Sequence, residues 1–426
     1  MFPGLSFSSE KNESSDGLSF FSSVGIGLGT VDEDLFFLLM LEQGISYNDF
    51  KLRLSGPFRF RIYDKSPDND TGLRSEDWDD PSDWARILRS IDYNRKFTDG
   101  GIALHIGELN GVSMGHSTIV SSYFNSTDMD YYQGGATLGV DVKGNGIEFL
   151  MNNFVSPSIF SGRTFVAPFA WFVKSQIARR FRAGFDFMVD SGVRGTVFPG
   201  NKTSLFIAGG DLEFGFVKTK RADVAVRVDV NGVKGSGGVH AGIASSILLS
   251  PKKDAVLNIM GEYRYAGANY YPALLNPFYD YNRRYFTVDP VTDDKNTFVE
   301  HLDNPSVKKR SSHGFAADLA LSIASIFKAG VHFDYQSNNR PIWIMFKLEL
   351  SPVERFSLRA FLAGQDIYGK GDLFSSDSLI GTSLQIKIIG PLFAFAEYQR
   401  RYRAILSGNT STANEISGGV SVSFSY

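Results

Sequence analysis

The chain of 426 residues contains no cysteine. This absence excludes structural disulfides, thiolate metal sites and cysteine nucleophiles. Long apolar runs are also missing, because the longest, residues 35–41, is far shorter than the roughly 20 residues that a membrane-spanning helix requires. The mean hydropathy of −0.11 is too polar for a bundle of such helices. The sequence therefore excludes a helical membrane protein and a disulfide-built scaffold.

The residue patterns that mark common enzymes and nucleic-acid binders are absent as well. The formal net charge is −3, so no basic surplus indicates nucleic-acid binding. The six histidines include no pair at metalloprotease spacing, and no nucleophile or phosphate-loop motif accompanies them. We therefore expect no enzymatic activity, no cofactor and no nucleic-acid partner. The one weak metal candidate is the acidic stretch with Asp68 and Asp70, whose oxygen atoms suit Ca²⁺.

The sequence does contain alternation of apolar and polar residues from end to end. In residues 222–231, for example, four valines share one face of a strand, and Asp223, Arg227 and Asp229 share the other. Such period-2 segments predict strands, and we count eighteen of them, most long enough to cross a bilayer as tilted strands. The prediction is an all-β fold, with 16 or 20 strands as alternatives.

The links between the predicted strands alternate in length. Links after even-numbered strands are short, as at residues 144–145 and 219–221, whereas those after odd-numbered strands are mostly longer, as at residues 191–204. Bacterial outer-membrane barrels combine short periplasmic turns with long extracellular loops in this way. No repeat of fixed period indicates a propeller or a solenoid.

The last residues form a strand with one apolar face that ends in an aromatic ring. Val420, Val422, Phe424 and Tyr426 alternate with small polar residues. This tail resembles the C-terminal assembly signal of bacterial outer-membrane proteins, and residues 18–426 resemble porin-type barrels in pattern. The resemblance implies a closed antiparallel transmembrane β-barrel in the bacterial outer membrane. It also implies contact with outer-membrane lipid and lipopolysaccharide, and with the barrel-assembly machinery during insertion.

Two long links and the N-terminus complete the predicted organisation. We expect a polar N-terminal extension over residues 1–17, a long loop over residues 63–135 and a long extracellular loop over residues 266–313. Inside the first loop, residues 80–89 predict a short helix with Asp80 as its N-cap and Pro81 at its first position. Residues 90–95 and 102–107 predict a hairpin, which would raise the count to twenty strands if it lies in the wall.

The same loop contains a segment too apolar for a solvated loop. Residues 102–125 include several isoleucines, leucines and valines, so we expect them to fold at least partly into the lumen and to narrow it. His105, Glu108 and His116 would then form a constriction.

The polar faces of the predicted strands separate by charge. The basic residues come together on one side of the closed barrel: Lys51, Arg53, Arg59, Arg61, Arg355, Arg359, Lys387, Arg401 and Arg403. The acidic residues collect on other strands: Asp141, Glu148, Asp186, Asp190, Asp211, Glu213, Asp223 and Asp229. We call these sets the basic wall and the acidic wall. A field between such walls favours polar solutes over apolar ones.

These patterns lead to two functional hypotheses. The first is a porin-like channel for passive diffusion of small hydrophilic solutes, because barrels of this size enclose an aqueous pore. The alternative is a non-conducting, plugged barrel that anchors an outer-membrane assembly, with other envelope proteins or further copies of the chain as its partners.

Overall fold

The computed structural model describes most of the chain. The described residues are 17–65, 71–170, 172, 180–191, 204–233, 235–283, 286–289, 294–296, 310–337, 342–353, 355–367, 372–374, 378–403 and 411–425. Within them, no helix is long and apolar enough to cross a membrane. The chain in these ranges consists mainly of antiparallel strands.

Twenty of the strands form one continuous wall. The first ten are β1 (Leu18–Val31), β2 (Asp34–Tyr47), β3 (Phe50–Tyr63), β4 (Leu88–Phe97), β5 (Gly100–Gly107), β6 (Gly135–Val142), β7 (Asn145–Met151), β8 (Ile159–Val166), β9 (Phe181–Asp190) and β10 (Leu205–Lys218). The second ten are β11 (Ala222–Val233), β12 (Ser236–Ser250), β13 (Ala255–Ala266), β14 (Ser312–Ile323), β15 (Phe327–Gln336), β16 (Trp343–Val353), β17 (Phe356–Gln365), β18 (Leu379–Ile389), β19 (Leu392–Arg403) and β20 (Ser411–Ser425).

The wall closes on itself. Each strand pairs antiparallel with the next, and β20 pairs with β1 from Phe21↔Ser425 to Val31↔Glu415. The predicted closed antiparallel barrel is therefore confirmed, with twenty strands instead of eighteen. The two additional strands are β4 and β5, the hairpin whose place in the wall the sequence left open.

Short elements outside the wall lie mainly in the long connections. The short strands are Gly72–Leu73, Asn110–Val112, Tyr123–Phe124, Phe286–Asp289 and Asp294–Asn296. The 3₁₀ turns are Ser75–Asp77, Asp83–Ile87, Pro251–Lys253 and Asp372–Phe374, and the one described α-helix is Tyr279–Asn282. The helix expected over residues 80–89 is thus shorter than predicted: its N-cap is Ser82, and the chain enters β4 at Leu88.

The links keep the predicted asymmetry. At one end of the barrel, eight of the nine links span two to four residues, whereas the connection over residues 167–180 is longer. The opposite end carries the longest connections, over residues 64–87, 108–134 and 267–311. The strands themselves are uneven, because β5–β8 have seven or eight residues and β1–β3 have fourteen.

A connection completes the wall where β3 and β4 pair over only a few residues. β4 pairs with β3 only from Phe50 to Leu54. Farther along β3, Phe60 and Arg61 pair with Gly72–Leu73 instead. Residues 71–87 therefore cover the strand edge that the short β4 leaves unpaired.

The two faces of the wall differ in polarity. On β11, Val226, Val228 and Val230 are 38–55% exposed on the outside, while Arg227 and Asp229 on the other face are buried. The same alternation places Val420 and Phe424 of β20 outward, opposite β1. Apolar side chains exposed around a whole ring form a surface that suits lipid.

Candidate functional site

The connection between β5 and β6, residues 108–134, folds into the barrel; we call it the inward segment. Its side chains Leu109, Ile119, Val120 and Tyr123 are buried. They pack in one cluster with inward-facing wall residues such as Met188. Of residues 102–125, which were expected to fold at least partly into the lumen, residues 102–107 belong to wall strand β5, and the rest belong to the inward segment.

A second connection docks against the inward segment. Ser121 N donates to Leu275 O at 2.9 Å, and Ala273 N donates to Thr118 O at 2.8 Å. The buried Tyr270 hydroxyl donates to Thr118 O of the inward segment at 3.3 Å and also lies within hydrogen-bonding distance of Asn231 and His240 on the wall. Backbone pairing between two connections satisfies polar groups that would otherwise be buried without partners.

Five residues of the predicted acidic wall come together beside Arg163, which contacts three of them. Arg163 on β8 donates from Nη2 to Asp211 Oδ1 at 2.9 Å and lies 3.2 Å from Asp186 Oδ1 through Nε. Its Nη1 lies 3.9 Å from Glu148 Oε2. We call Glu148, Asp186, Asp211, Glu213 and Asp229 the acidic cluster. Asp186, Asp211 and Asp229 are close enough to share a cation, but guanidinium and imidazole groups already donate to them.

His116 ties the inward segment to this cluster. Its Nδ1 lies 3.1 Å from both carboxylate oxygens of Asp229, and its Nε2 lies 3.3 Å from Glu213 Oε2. Burial lowers the pKa of His116, but its hydrogen bonds to Asp229 and Glu213 outweigh burial and raise the pKa to about 9. The ring is therefore protonated at neutral pH and donates from both nitrogens. We call His116 with Asp229 and Glu213 the acidic anchor.

The turn before His116 depends on a glycine. Gly115 has φ of 54°, and a Cβ there would lie 2.9 Å from Arg163 Nε and Cδ. Its N–H donates to Glu148 Oε2 at 2.9 Å. Glycine is thus required both by the left-handed backbone and by close approach to Arg163.

The predicted basic wall takes partners from the connections and from β20. Arg59 Nε donates to Asp77 Oδ2 at 2.7 Å, and Arg59 Nη1 lies 3.1 Å from Glu415 Oε2. Arg61 Nη2 donates to Glu76 Oε1 at 2.8 Å. Burial raises the pKa of Asp77, but the guanidiniums of Arg59, Arg74 and Arg86 outweigh burial and hold its pKa well below the usual range.

The inward segment also presents acids to the basic wall. Asp130 Oδ2 accepts from Arg403 Nε at 3.2 Å and also pairs with Arg74. Glu108 lies between two arginines: its Oε1 is 3.6 Å from Arg401 Nη2, and its Oε2 is 3.8 Å from Arg89 Nη1. One segment thus offers a cation to the acidic wall and anions to the basic wall. We call Glu108 with Arg89 and Arg401 the hydrated anchor, because the Arg89 side chain is 54% exposed.

The remaining predicted residues lie away from these contacts. Three basic residues occupy lumen-facing positions nearer the short links: Lys51, Arg53 and Arg359. Arg355 lies in a turn. The Nζ atom of Lys387 is 5.7 Å from the centre of the Phe393 ring. Asp190 accepts from Tyr279, Asp141 accepts from the backbone of Gly144, and Asp223 is exposed. His105 lies on β5, where Nδ1 is 2.7 Å from Asp92. Asp68, Asp70 and Tyr426 lie outside the described residues.

Several charged groups of this site were not predicted. Arg163, Arg89 and Arg74 pair with predicted acids or with loop acids. A further buried network on β12, β13 and β15 joins Arg264 to Glu262 and Asp334, and Glu262 to His240. Arg163 follows the polar alternation of its strand, so a search of every strand for inward cations would have found it. Arg89 carried no such signal, because it lies beside a register shift.

Comparisons with known proteins give weak structural similarities. No protein-family model and no curated protein matches the chain. Among solved structures, OccK2 (OpdF) from Pseudomonas aeruginosa shares 10% sequence identity at a TM-score of 0.35, covering 96% of this chain and 97% of that one. OccAB3 from Acinetobacter baumannii shares 11% sequence identity at a TM-score of 0.33, covering 96% of this chain and 99% of that one. CdiB from Acinetobacter baumannii shares 8% sequence identity at a TM-score of 0.29. The match covers 96% of this chain, which spans about 60% of the length of CdiB. The assignment of the barrel therefore rests on the strand pairing of this chain itself.

Proposed function

We propose that the protein is an outer-membrane channel for passive diffusion of small hydrophilic solutes. The observation that carries the proposal is the closed ring of twenty strands with an apolar outer face and a charged inner face. A closed barrel has no strand edge whose N–H and C=O groups would lie unsatisfied in lipid. A membrane anchor that encloses no water would gain nothing from a charged inner face.

The architecture also supports an orientation. Both described chain ends lie at the end with short links, which corresponds to the periplasmic side of outer-membrane barrels. The long connections then face the outside, beside lipopolysaccharide. The outward face of β20, with Val420, Val422 and Phe424, is consistent with recognition by the barrel-assembly machinery.

The inward segment is the proposed constriction. It contacts β10 and β11 through His116, β16 through Phe124 beneath Lys347, and β19 through backbone hydrogen bonds between Tyr402 and residues 127 and 129. A segment that touches the wall in three places crosses the lumen instead of lining one side. Solutes must therefore pass beside it, which limits their size.

Reconstitution into planar bilayers tests the proposal. We expect discrete current steps, and we expect larger steps when residues 111–122 are replaced by a short Gly/Ser linker, because the segment that crosses the lumen is removed. Heat-modifiable migration on gels confirms that both proteins are folded. Silence from the native chain with current from the linker variant would support a plugged scaffold. Silence from both folded proteins would overturn the channel.

A further inference from the structure

Glu108 occupies a position between two guanidinium groups from distant parts of the wall. Arg89 comes from β4 and Arg401 from β19, and each lies within 4 Å of a different Glu108 carboxylate oxygen. Arg89 lies beside a register shift in the pairing of β3 and β4, where a bulge redirects a side chain. Its Nη1 lies 3.8 Å from Glu108 of the inward segment, so its guanidinium lies on the lumen side of the wall.

The hydrated anchor combines long contacts with exposed arginine side chains. Separations of 3.6 and 3.8 Å are too long for direct hydrogen bonds, whereas Arg163 donates to Asp211 at 2.9 Å. The Arg401 side chain is 26% exposed, and that of Arg89 is 54% exposed. Ion pairs that are long and exposed to solvent contribute little to the free energy of unfolding, and their charged groups exchange partners readily.

A hydroxyl without a partner lies beside the same group. Among the described residues, the Tyr132 hydroxyl oxygen is buried and makes no hydrogen bond. The Arg86 guanidinium lies 5.6 Å from the centre of the Tyr132 ring. Burial and then the Glu108 carboxylate raise the pKa of Tyr132, while Arg89, Arg86 and Arg401 lower it. A buried polar atom without a partner points to a group that completes it.

We propose that Arg89, Arg401 and Tyr132 form a binding site for an oxyanion group of the solute, a carboxylate or a phosphate. Glu108 is the internal carboxylate that holds the two arginines when the site is empty. The inference rests on the proposed channel function and adds the chemical class of its solute. Two guanidinium forks and one hydroxyl supply donors that an oxyanion of correct position accepts at full hydrogen-bonding distance.

The proposal makes a prediction of unusual sign. Replacing a carboxylate that only supports the fold weakens or preserves binding, but replacing a competitor strengthens it. Glu108→Gln removes the internal negative charge while keeping the size of the side chain. We therefore expect oxyanions to bind the Glu108→Gln variant about tenfold more tightly, since 1.4 kcal/mol corresponds to that factor. Arg89→Gln and Arg401→Gln each remove a charged donor and should weaken binding by about the same factor.

Binding is measured by saturation-transfer NMR on the full, folded barrel in detergent. The observed probe is acetate. Inorganic phosphate, which has no carbon-bound proton to observe, is measured by its competition with acetate, and acetamide is the uncharged control of the same shape as acetate. Arg403→Gln is the matched control, because Arg403 lies on the same strand but pairs with Asp130 and Asp32. Arg89→Lys preserves the charge without the fork and covers the case in which the glutamine variant does not fold. Tyr132→Phe should weaken binding less than either arginine change.

Tighter binding by Glu108→Gln together with weaker binding by Arg401→Gln supports the site, and the preferred probe identifies the oxyanion. Unchanged or weaker binding by Glu108→Gln overturns it, as does equal competition by acetamide or an equal loss in Arg403→Gln. The measurement needs no current. Oxyanion binding by a barrel that carries no current would therefore contradict the channel function and support the binding site. Current without this binding pattern would support the channel function and contradict the binding site.

Discussion

The two anchors of the inward segment hold the same stretch of chain in opposite ways. At the acidic anchor, His116 and Asp229 are almost fully buried and lie 3.1 Å apart. At the hydrated anchor, Glu108 lies more than 3.5 Å from two partly exposed arginines. Desolvation makes the first anchor costly to break, whereas water and distance make the second easy to exchange. The difference indicates that the acidic anchor is structural, whereas the hydrated anchor is available to a solute.

The largest effect should follow from removing the acidic anchor. His116→Ala leaves Asp229 and Glu213 without their shared cation in a buried site, so we expect a loss of about 3–5 kcal/mol in the free energy of unfolding. Denaturant titration of the barrel in lipid vesicles measures it. His313→Ala, at an exposed histidine, is the control and should cost less than about 1 kcal/mol. Equal losses of unfolding free energy in the two variants would show that the buried anchor contributes no more stability than an exposed histidine.

The next effect concerns the wall that carries both anchors. Leu384 and Ser383 are neighbours near the middle of β18 that face outward and inward, respectively. Leu384→Arg should cost about 2–4 kcal/mol if the position lies near the bilayer midplane, because the charge enters lipid. Ser383→Arg should cost little, since Glu397 lies 3.5 Å from the Ser383 hydroxyl. A similar loss in both variants would contradict the assigned register.

The acidic anchor should also weaken with rising pH. The pKa of His116 is raised from 6.5 to about 9 in the folded state. A raised pKa contributes stability that is complete below about 6.5 and is lost as the pH rises through about 9. The groups facing the ring are Asp229, Glu213, Asp211 and Arg227.

The stability difference between the native chain and His116→Gln, measured from pH 6 to pH 10, should therefore shrink above pH 8. The glutamine variant supplies the baseline for the titrating groups that do not interact with His116, so the difference reports the imidazole and its partners. A difference that stays constant to pH 10 would show that His116 does not hold its proton as the geometry indicates.

The smallest effect on stability should come from the hydrated anchor. Glu108→Gln should change the free energy of unfolding by about 0–1 kcal/mol, because long, wet ion pairs contribute little. The same denaturant titration measures it, and adding salt should leave the variant and the native chain equally stable. A loss as large as that of His116→Ala would make the two anchors equivalent and remove the physical basis for exchange with a solute.

The sequence by itself determined the wall. Period-2 alternation is a local property, so Val224, Val226, Val228 and Val230 specify the outer face of β11 without reference to any other strand. The alternating link lengths and the apolar C-terminal strand likewise predicted the closure of β20 on β1. The hairpin of β4 and β5 stayed ambiguous, because short strands beside a long loop have the same local pattern inside and outside a wall.

Only the tertiary structure decided which charges meet. Glu108 lies between Arg89 and Arg401 because closure of the ring brings β19 to the same side of the barrel as β4, and no spacing along the chain encodes that distance. Arg89 reaches the lumen only through a register shift, which alternation cannot predict. The basic and acidic walls were visible in the sequence, but their partners come both from folded connections, as with His116 and Asp77, and from other wall strands, as with Arg163. A lumen charge is paired by whatever the closed barrel places opposite it, and that is a property of the whole ring.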